Sequence, residues 1–270
     1  MKKMYMTGMA IGLLLFYAYA QATPVITNGL VTAYEFNGNA NDISGQGNNG
    51  TVYGATLTTD RLGINNSAYH FDGNDYIIAS ASSLPTAART VALWFYADSV
   101  SNKPNLIGYG GSNSTPPGKS WLMGINHWGS PAYSVTSHWA TNTLQYFYTQ
   151  APVNSWIHYA ITTDSSGTKI YINGEEKASN SIFINNTVVT GTDLSIGVSV
   201  NTYGDAPYTD GNVGYFIGSM DDVLIYNRAL TASEIGQLAG GVAPVPEPAT
   251  LLLLGTGLIG LAAYGRKKLN

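Results

Sequence analysis

The sequence has no cysteine. That excludes a disulfide-stapled scaffold, a cysteine-ligated zinc site and a cysteine nucleophile. Charge is scarce too: Asp, Glu, Lys and Arg make up 10% of the 270 residues, far below the usual quarter. Twelve basic residues against sixteen acidic ones offer no basic surface for nucleic acid. Several catalytic patterns are missing. There is no Gly-x-Ser-x-Gly elbow and no glycine-rich phosphate loop before a helix. His70, His127, His138 and His158 show no His-x-x-x-His zinc spacing.

What is abundant is glycine, at 31 residues, and tyrosine, at 19. With the scarcity of charge, this composition suits strands and turns rather than helices. From about residue 28 to 240, short β-rich runs alternate with turn signals. Expected strands include Leu30–Asn37, Thr90–Tyr96, Trp121–Ile125, Trp156–Thr163, Lys169–Ile172 and Tyr215–Tyr226. Asn37-Gly38, Asp72-Gly73, Ser166-Gly167 and Asn173-Gly174 fall between such runs. Many short strands at this spacing predict one all-β sandwich or barrel over 28–240. The one helical signal is a capping box, Thr231 to Glu234, ahead of Ile235 and Leu238.

The two ends read differently. Lys2 and Lys3 precede an apolar run through Ile11 and Leu13–Phe16, followed by Ala18, Ala20 and Ala22. This is the layout of a secretory signal over residues 1–22. Residues 241–248 are a Gly/Pro/Val-rich stalk that runs into Pro246-Glu247-Pro248. An apolar stretch over 249–264 comes next, then Arg266, Lys267 and Lys268. The stretch is expected to be a short transmembrane helix, with the basic end as a cytoplasmic anchor. Between the tails, residues 23–243 keep seven basic and fifteen acidic side chains, a formal net charge of −8.

Two resemblances follow from these residues. The Pro-Glu-Pro motif, glycine-bearing apolar stretch and Arg-Lys-Lys end over 245–270 resemble the PEP-CTERM sorting signal of Gram-negative bacteria. That implies export by the secretion machinery and transient anchoring in the inner membrane. It also implies cleavage by exosortase near Pro246–Pro248 and delivery to the cell surface, outer membrane or extracellular matrix. In the middle, Gly29–Gly38, Ala40–Thr51, Ser67–Ile77, Trp156–Ala160, Lys169–Glu175 and Gly218–Leu230 occur in an order that resembles the bacterial laminin G type 3 group. The implied fold is a two-sheet antiparallel jelly roll of the concanavalin A-like lectin/glucanase type, with the first and last strands as neighbours.

Catalysis is not expected. Glycoside hydrolysis needs a pair of carboxylates, which hydrolases of this superfamily place on one strand. No glutamate here lies two residues from an aspartate, and Asp221 and Asp222 alternate to opposite faces if their run is a regular strand. A structural calcium ion is the expected cofactor. Asp42 and Asn48 lie in a glycine-rich loop of oxygen donors, and the resemblance implies that Asp221 approaches it. Carbohydrate is the expected ligand, with extracellular polysaccharide as partner. Trp121, Trp128, Tyr133 and Trp139 fall in a polar, tyrosine-rich stretch and are the candidate sugar contacts. Trp94 and Trp156 lie in apolar runs and are expected in the core. The alternative reading is a structural or adhesive surface or biofilm protein that binds other proteins, with glycoside hydrolase as a remote third.

Overall fold

The run Val91-Ala92-Leu93-Trp94-Phe95-Tyr96-Ala97 is apolar throughout, and a strand sorts it by parity. In the computed structural model, Val91, Leu93, Phe95 and Ala97 enter the main core. Ala92 joins a second apolar cluster on the opposite face, where Trp94 and Tyr96 also lie, as two-residue alternation requires. This run is the centre of β6 (Arg89–Ser99), and the architecture is built outward from it. The structure describes residues 26–101, 103–111, 120–125, 134–139, 142–181, 187–200, 207–208 and 214–240. The expected secretory signal and the sorting tail lie outside these residues. Among the described residues, no helix is long and apolar enough to cross a membrane.

Strands are numbered in chain order. The larger sheet has eight strands and runs β13 (Glu175–Asn180), β12 (Gly167–Ile172), β11 (Trp156–Asp164), β6, β17 (Ile217–Tyr226), β4 (Ala68–Asp72) and β3 (Thr56–Thr58). β1 (Leu30–Tyr34) pairs with the second half of β17, beside β4. The first and last long strands are therefore neighbours, as the resemblance implied. The smaller sheet has seven strands. Its order is β10 (Asn142–Phe147), β9 (Ser134–Trp139), β8 (Trp121–Ile125), β7 (Asn105–Tyr109), β14 (Asp193–Ile196), β5 (Tyr76–Ser80) and β2 (Thr51–Tyr53). A two-stranded ribbon joins β15 (Ser199–Val200) to β16 (Pro207–Tyr208). Every strand pairing is antiparallel. The inner faces of the two sheets enclose one core, which includes Tyr34, Phe71, Leu93, Phe95, Met123, Tyr159 and Ile196. The chain is thus a two-sheet jelly-roll sandwich.

Turn chemistry sets the register. Asn173 (φ 50°) and Gly174 (φ 84°) both take the left-handed conformation at the hairpin between β12 and β13, as a two-residue turn matched to the sheet twist demands. Arg89 at the start of β6 is wholly buried. Its guanidinium donates to the carbonyls of Thr86 and Ala87, the Tyr109 hydroxyl and the Thr187 hydroxyl. A buried cation is tolerable when its donors are satisfied in this way, and this one ties β6 to β7 of the facing sheet.

The outer face of the larger sheet is divided. Ala33, Leu224, Ala92, Ala160 and Tyr171 lie side by side in one row across β1, β17, β6, β11 and β12. On this row sits α1 (Ala232–Leu238), which buries Ile235 and Leu238. The three alanines leave room for the helix. Its start is fixed by the expected capping box, in which Glu234 N donates to Thr231 Oγ1 (3.2 Å) and Thr231 N to Glu234 Oε2 (2.8 Å). Arg228 grips the same carboxylate through two nitrogens, at 2.6 and 2.9 Å. That pairing holds the Glu234 carboxyl down to about 2. Lengthening a row residue should overpack the helix: Ala160→Leu is expected to lower stability by about 1–3 kcal/mol. A denaturant titration of the full chain in mild detergent checks this, and an unchanged midpoint would mean that α1 does not bear on the row.

Candidate functional site

Beyond the alanine row, the outer face of the larger sheet carries rings and charges. Strand register places Trp156, Tyr96, Ser219 and His70 in one row across β11, β6, β17 and β4. The row spans about 14 Å at ordinary strand spacing. All four side chains are half-buried. The Tyr96 and Trp156 rings lie with centroids 5.9 Å apart and planes at 59°. Ser219 Oγ is 3.3 Å from His70 Nδ1. His70 Nε2 lies 4.0 Å from Asp98 Oδ2, and both side chains are substantially exposed.

The next row holds His158, Trp94 and Asp221. The His158 ring meets Trp94 edge-on, centroids 5.3 Å apart. His158 is 1% exposed and its Nδ1 has no hydrogen-bond partner, nor has the buried Trp94 Nε1. Burial holds the imidazole down to about 3, with the Arg61 charge pushing the same way. Arg61 stacks over Trp94, its guanidinium carbon 5.0 Å from the ring centroid. Its loop, 59–66, folds around Asp60, whose Oδ1 accepts the N–H groups of Leu62 (2.8 Å) and Ile64 (2.7 Å).

Two bulges flank these rows. Between Asp221 and Leu224, β17 carries one residue more than β6. Asp222 there adopts φ 47°, a left-handed conformation uncommon for a side chain outside glycine. With Met220 and Val223 both in the core, the bulge turns Asp221 and Asp222 to the same outer face. Arg61 reaches both: Nη1 contacts Asp221 Oδ2, and Nη2 is 2.7 Å from Asp222 Oδ2. This corrects the expectation that the two carboxylates point to opposite faces. Burial, reinforced by Asp222, pushes the Asp221 carboxyl above the usual carboxylate range, while Arg61 pulls it back. The second bulge sits where β6 has the extra residue, Asp98, opposite Ile217 and Gly218. Gly218 is required there: a Cβ would lie 2.1 Å from the Tyr96 carbonyl oxygen.

The residues expected to hold calcium have other duties. Asp42 and Asn48 come together, with Asn48 N donating to Asp42 Oδ2 at 3.0 Å. Asp42 also accepts from Ala33 N, Ser44 N and Ser44 Oγ, each at 2.9 Å. Four donors fill a carboxylate's acceptor positions. Asn48 Oδ1 accepts from Ser83 Oγ, and its amide donates to Val31 O and Thr32 Oγ1. Asp221 faces Arg61 instead of this loop. These side chains accept from and donate to the protein's own groups, and they pin the loop to β1.

Of the expected sugar contacts, the structure describes the surroundings of Trp121 alone. Trp121 is 3% exposed and packs in the core, its ring centroid 5.6 Å from that of Tyr109. Trp128 and Tyr133 lie outside the described residues, and Trp139 is described only as the end of β9. Trp94 and Trp156, expected in the core, stand on the outer face. A signal for this was available. Asp98 shares the parity of Trp94 and Tyr96, and a charged residue on that face marks it as solvent-side.

Residues 71–236 match the family described as the concanavalin A-like lectin/glucanases superfamily. The chain belongs to this superfamily. Residues 244–268 match the PEP-CTERM protein-sorting motif, which marks an exported chain handled by exosortase. No curated protein sequence matches. Among solved structures, the superfamily member described here is similar to domain 4 of AbnA, a GH43 extracellular arabinanase from Geobacillus stearothermophilus, in complex with arabinotriose. The identity is 20% and the TM-score 0.60, over 78% of this chain and 98% of that one. It is also similar to the receptor binding domain of botulinum neurotoxin type G, at 18% identity and TM-score 0.56, over 79% of this chain and 51% of that one. The serotype D ligand binding domain in complex with N-acetylneuraminic acid gives 19% identity and TM-score 0.55, over 80% and 52%. The superfamily member thus spans about half the length of these two toxin domains. At these identities the likeness concerns the fold.

Two tests follow from this geometry. Arg61→Met strands a buried Asp221 without its partner and is expected to cost about 3 kcal/mol or more. Adding Asp221→Asn should recover much of that loss, as read from paired denaturant titrations. Recovery near zero would show that Arg61 acts elsewhere. The second concerns acid. His158 is held near 3 when folded against about 6.5 unfolded. Its contribution is therefore complete above pH 6.5 and falls as the pH drops toward 3, by up to about 1.4 kcal/mol per pH unit. The raised Asp221 works in the opposite sense, but it is present in both proteins when wild type is compared with His158→Phe. The difference between their stabilities should shift in favour of the variant from pH 6.5 to 4; parallel curves would refute the assignment.

Proposed function

We propose that this chain is an exported surface or extracellular protein whose sandwich binds carbohydrate without catalysis, and that the outer-face row of Trp156, Tyr96, Ser219 and His70 is the contact surface. One observation carries this: two adjacent aromatic rings stand half-exposed on the rigid face of a lectin-type sandwich, beside hydroxyl, imidazole and carboxylate groups. Sugar faces stack on such rings while polar neighbours read the hydroxyls. The complexes of similar structures with arabinotriose and N-acetylneuraminic acid support the ligand class. The adjacent carboxylates Asp221 and Asp222 are both held by Arg61, and Asp221 is 2% exposed. A hydrolase needs a free acid and a free base or nucleophile, so this arrangement favours binding. The sorting motif supports export, exosortase processing of the tail and a final place at the surface or in the matrix.

The test is a panel of soluble oligosaccharides titrated against the full chain in mild detergent and followed by tryptophan fluorescence. At least one glycan should bind, and Trp156→Ala should weaken it by about tenfold or more, a loss of about 1.4 kcal/mol. Absence of binding across the panel would shift the reading to a protein-binding adhesin. Release of reducing sugar would revive hydrolysis.

A further inference from the structure

The charges around the aromatic row are of one sign. Among the described residues, the sole arginine on this part of the face, Arg61, is 11% exposed in its side chain and spent on two carboxylates. What meets solvent is acidic. Asp98, in the bulge at the end of β6, has a side chain 43% exposed, and its nearest cation is His70 at 4.0 Å, charged only when protonated. Asp72 ends β4, two residues beyond His70 and therefore on the same face, and it is exposed. Its cross-strand partner Ile217 lies opposite Ser99, next to Asp98. A ring platform bordered on one side by the exposed Asp98 and Asp72, the latter's carboxyl set against that of the buried Asp75, disfavours a uronic-acid or sulfated glycan through like-charge repulsion. It also draws in a cation, which the faces of Trp156 and Tyr96 favour further. The charge of −8 over residues 23–243 acts in the same direction at longer range.

Resting on the glycan-binding reading above, we infer that the preferred ligand is a glycan bearing free amines, a polymer of de-acetylated amino sugar. The pyranose faces lie on Trp156 and Tyr96, and the ammonium groups lie toward Asp98 and Asp72. Among the described residues no group of three or more His, Asp, Glu or Cys side chains is placed to hold a metal ion.

The experiment compares glucosamine oligomers of one length in three forms: free-amine, N-acetylated, and oxidised to the uronate. Each is titrated by calorimetry against the full chain in mild detergent, at low and at high salt. The free-amine oligomer should bind about tenfold more tightly than the N-acetylated one, with the preference shrinking as salt screens the carboxylates. The uronate should bind most weakly. Asp98→Asn with Asp72→Asn should bring the ratio of free-amine to N-acetylated affinity close to one; both sites are exposed, and a melt of the variant checks its fold. Equal or reversed affinities in the wild type, with at least one oligomer bound, would overturn the charge preference and leave glycan binding in place. No binding by any of the three overturns the amino-sugar inference, and the wider oligosaccharide panel then decides the glycan reading separately. A preference that survives high salt and the double variant would also overturn it.

Discussion

The pairing of β6 with β17 sets everything else in this molecule. These are the two long central strands of the larger sheet, and they are in register from Tyr96 and Ser219 to Trp94 and Asp221. On either side the register slips, once at Asp98 and once at Asp222. A bulge costs ladder hydrogen bonds and local strain, yet it re-aims side chains that alternation would send elsewhere. Here the slip at Asp222 sets two carboxylates against one arginine. The slip at Asp98 places an acidic group at the end of the aromatic row. The short matched segment between the slips carries Trp94 and Tyr96 outward while Phe95 and Met220 enter the core.

From that segment the outer face divides by residue size. Toward β1 and the C-terminal end of β17, alanines at 33, 92 and 160 make a shallow floor, and α1 covers it. Toward the other end, Trp156, Tyr96 and Trp94 stand too tall for a helix to lie on, and the Arg61 loop covers Trp94 alone. One sheet face thus supplies both a packing surface and an open one. The loops of 42–48 and 59–66 are closed by their own aspartates, Asp42 and Asp60, each accepting several local N–H groups. Such loops hold shape through hydrogen bonds that do not depend on any ligand.

The fold was legible because its signals are local. Asn173-Gly174 forces a turn, Thr231 with Glu234 starts a helix, and Trp156–Thr163 matches its strand to within one residue. The candidate site was less legible, and the cause is physical. A sheet whose outer face is covered by a helix over part of its area is apolar on both faces there. Val91–Ala97 therefore reads as a continuous buried run, and Trp94 and Tyr96 look like core. A bulge cannot be read from alternation that it interrupts, so regular alternation sends Asp221 and Asp222 to opposite faces. Trp121 fell in a polar stretch, yet its strand neighbours Leu122, Met123 and Ile125 are all buried. For Asp42, oxygen-rich composition points to a cation; composition does not show that the carboxylate accepts from Ala33 N, Ser44 N, Ser44 Oγ and Asn48 N.

The same constraint bears on how the face works. Rings on strands in the middle of an eight-stranded sheet have little freedom to reorient, because each is fixed by ladder bonds on both sides and by core residues beneath. Binding to such a surface orders few groups, so less of the contact energy is lost to entropy than on a loop-built site. Specificity must then come from what surrounds the rings. Ser219 and His70 can exchange hydrogen bonds with hydroxyl groups, while Asp98 and Asp72 introduce a field that distinguishes ligands by charge. His158, buried against Trp94 in the next row, lends no charge to this surface, since burial keeps the imidazole neutral. Arg61 lends none either, because both of its carboxylate partners are within reach. The clamp built by the Asp222 bulge neutralises Arg61, the one strong cation on this part of the face among the described residues, and it is this that leaves the open half acidic.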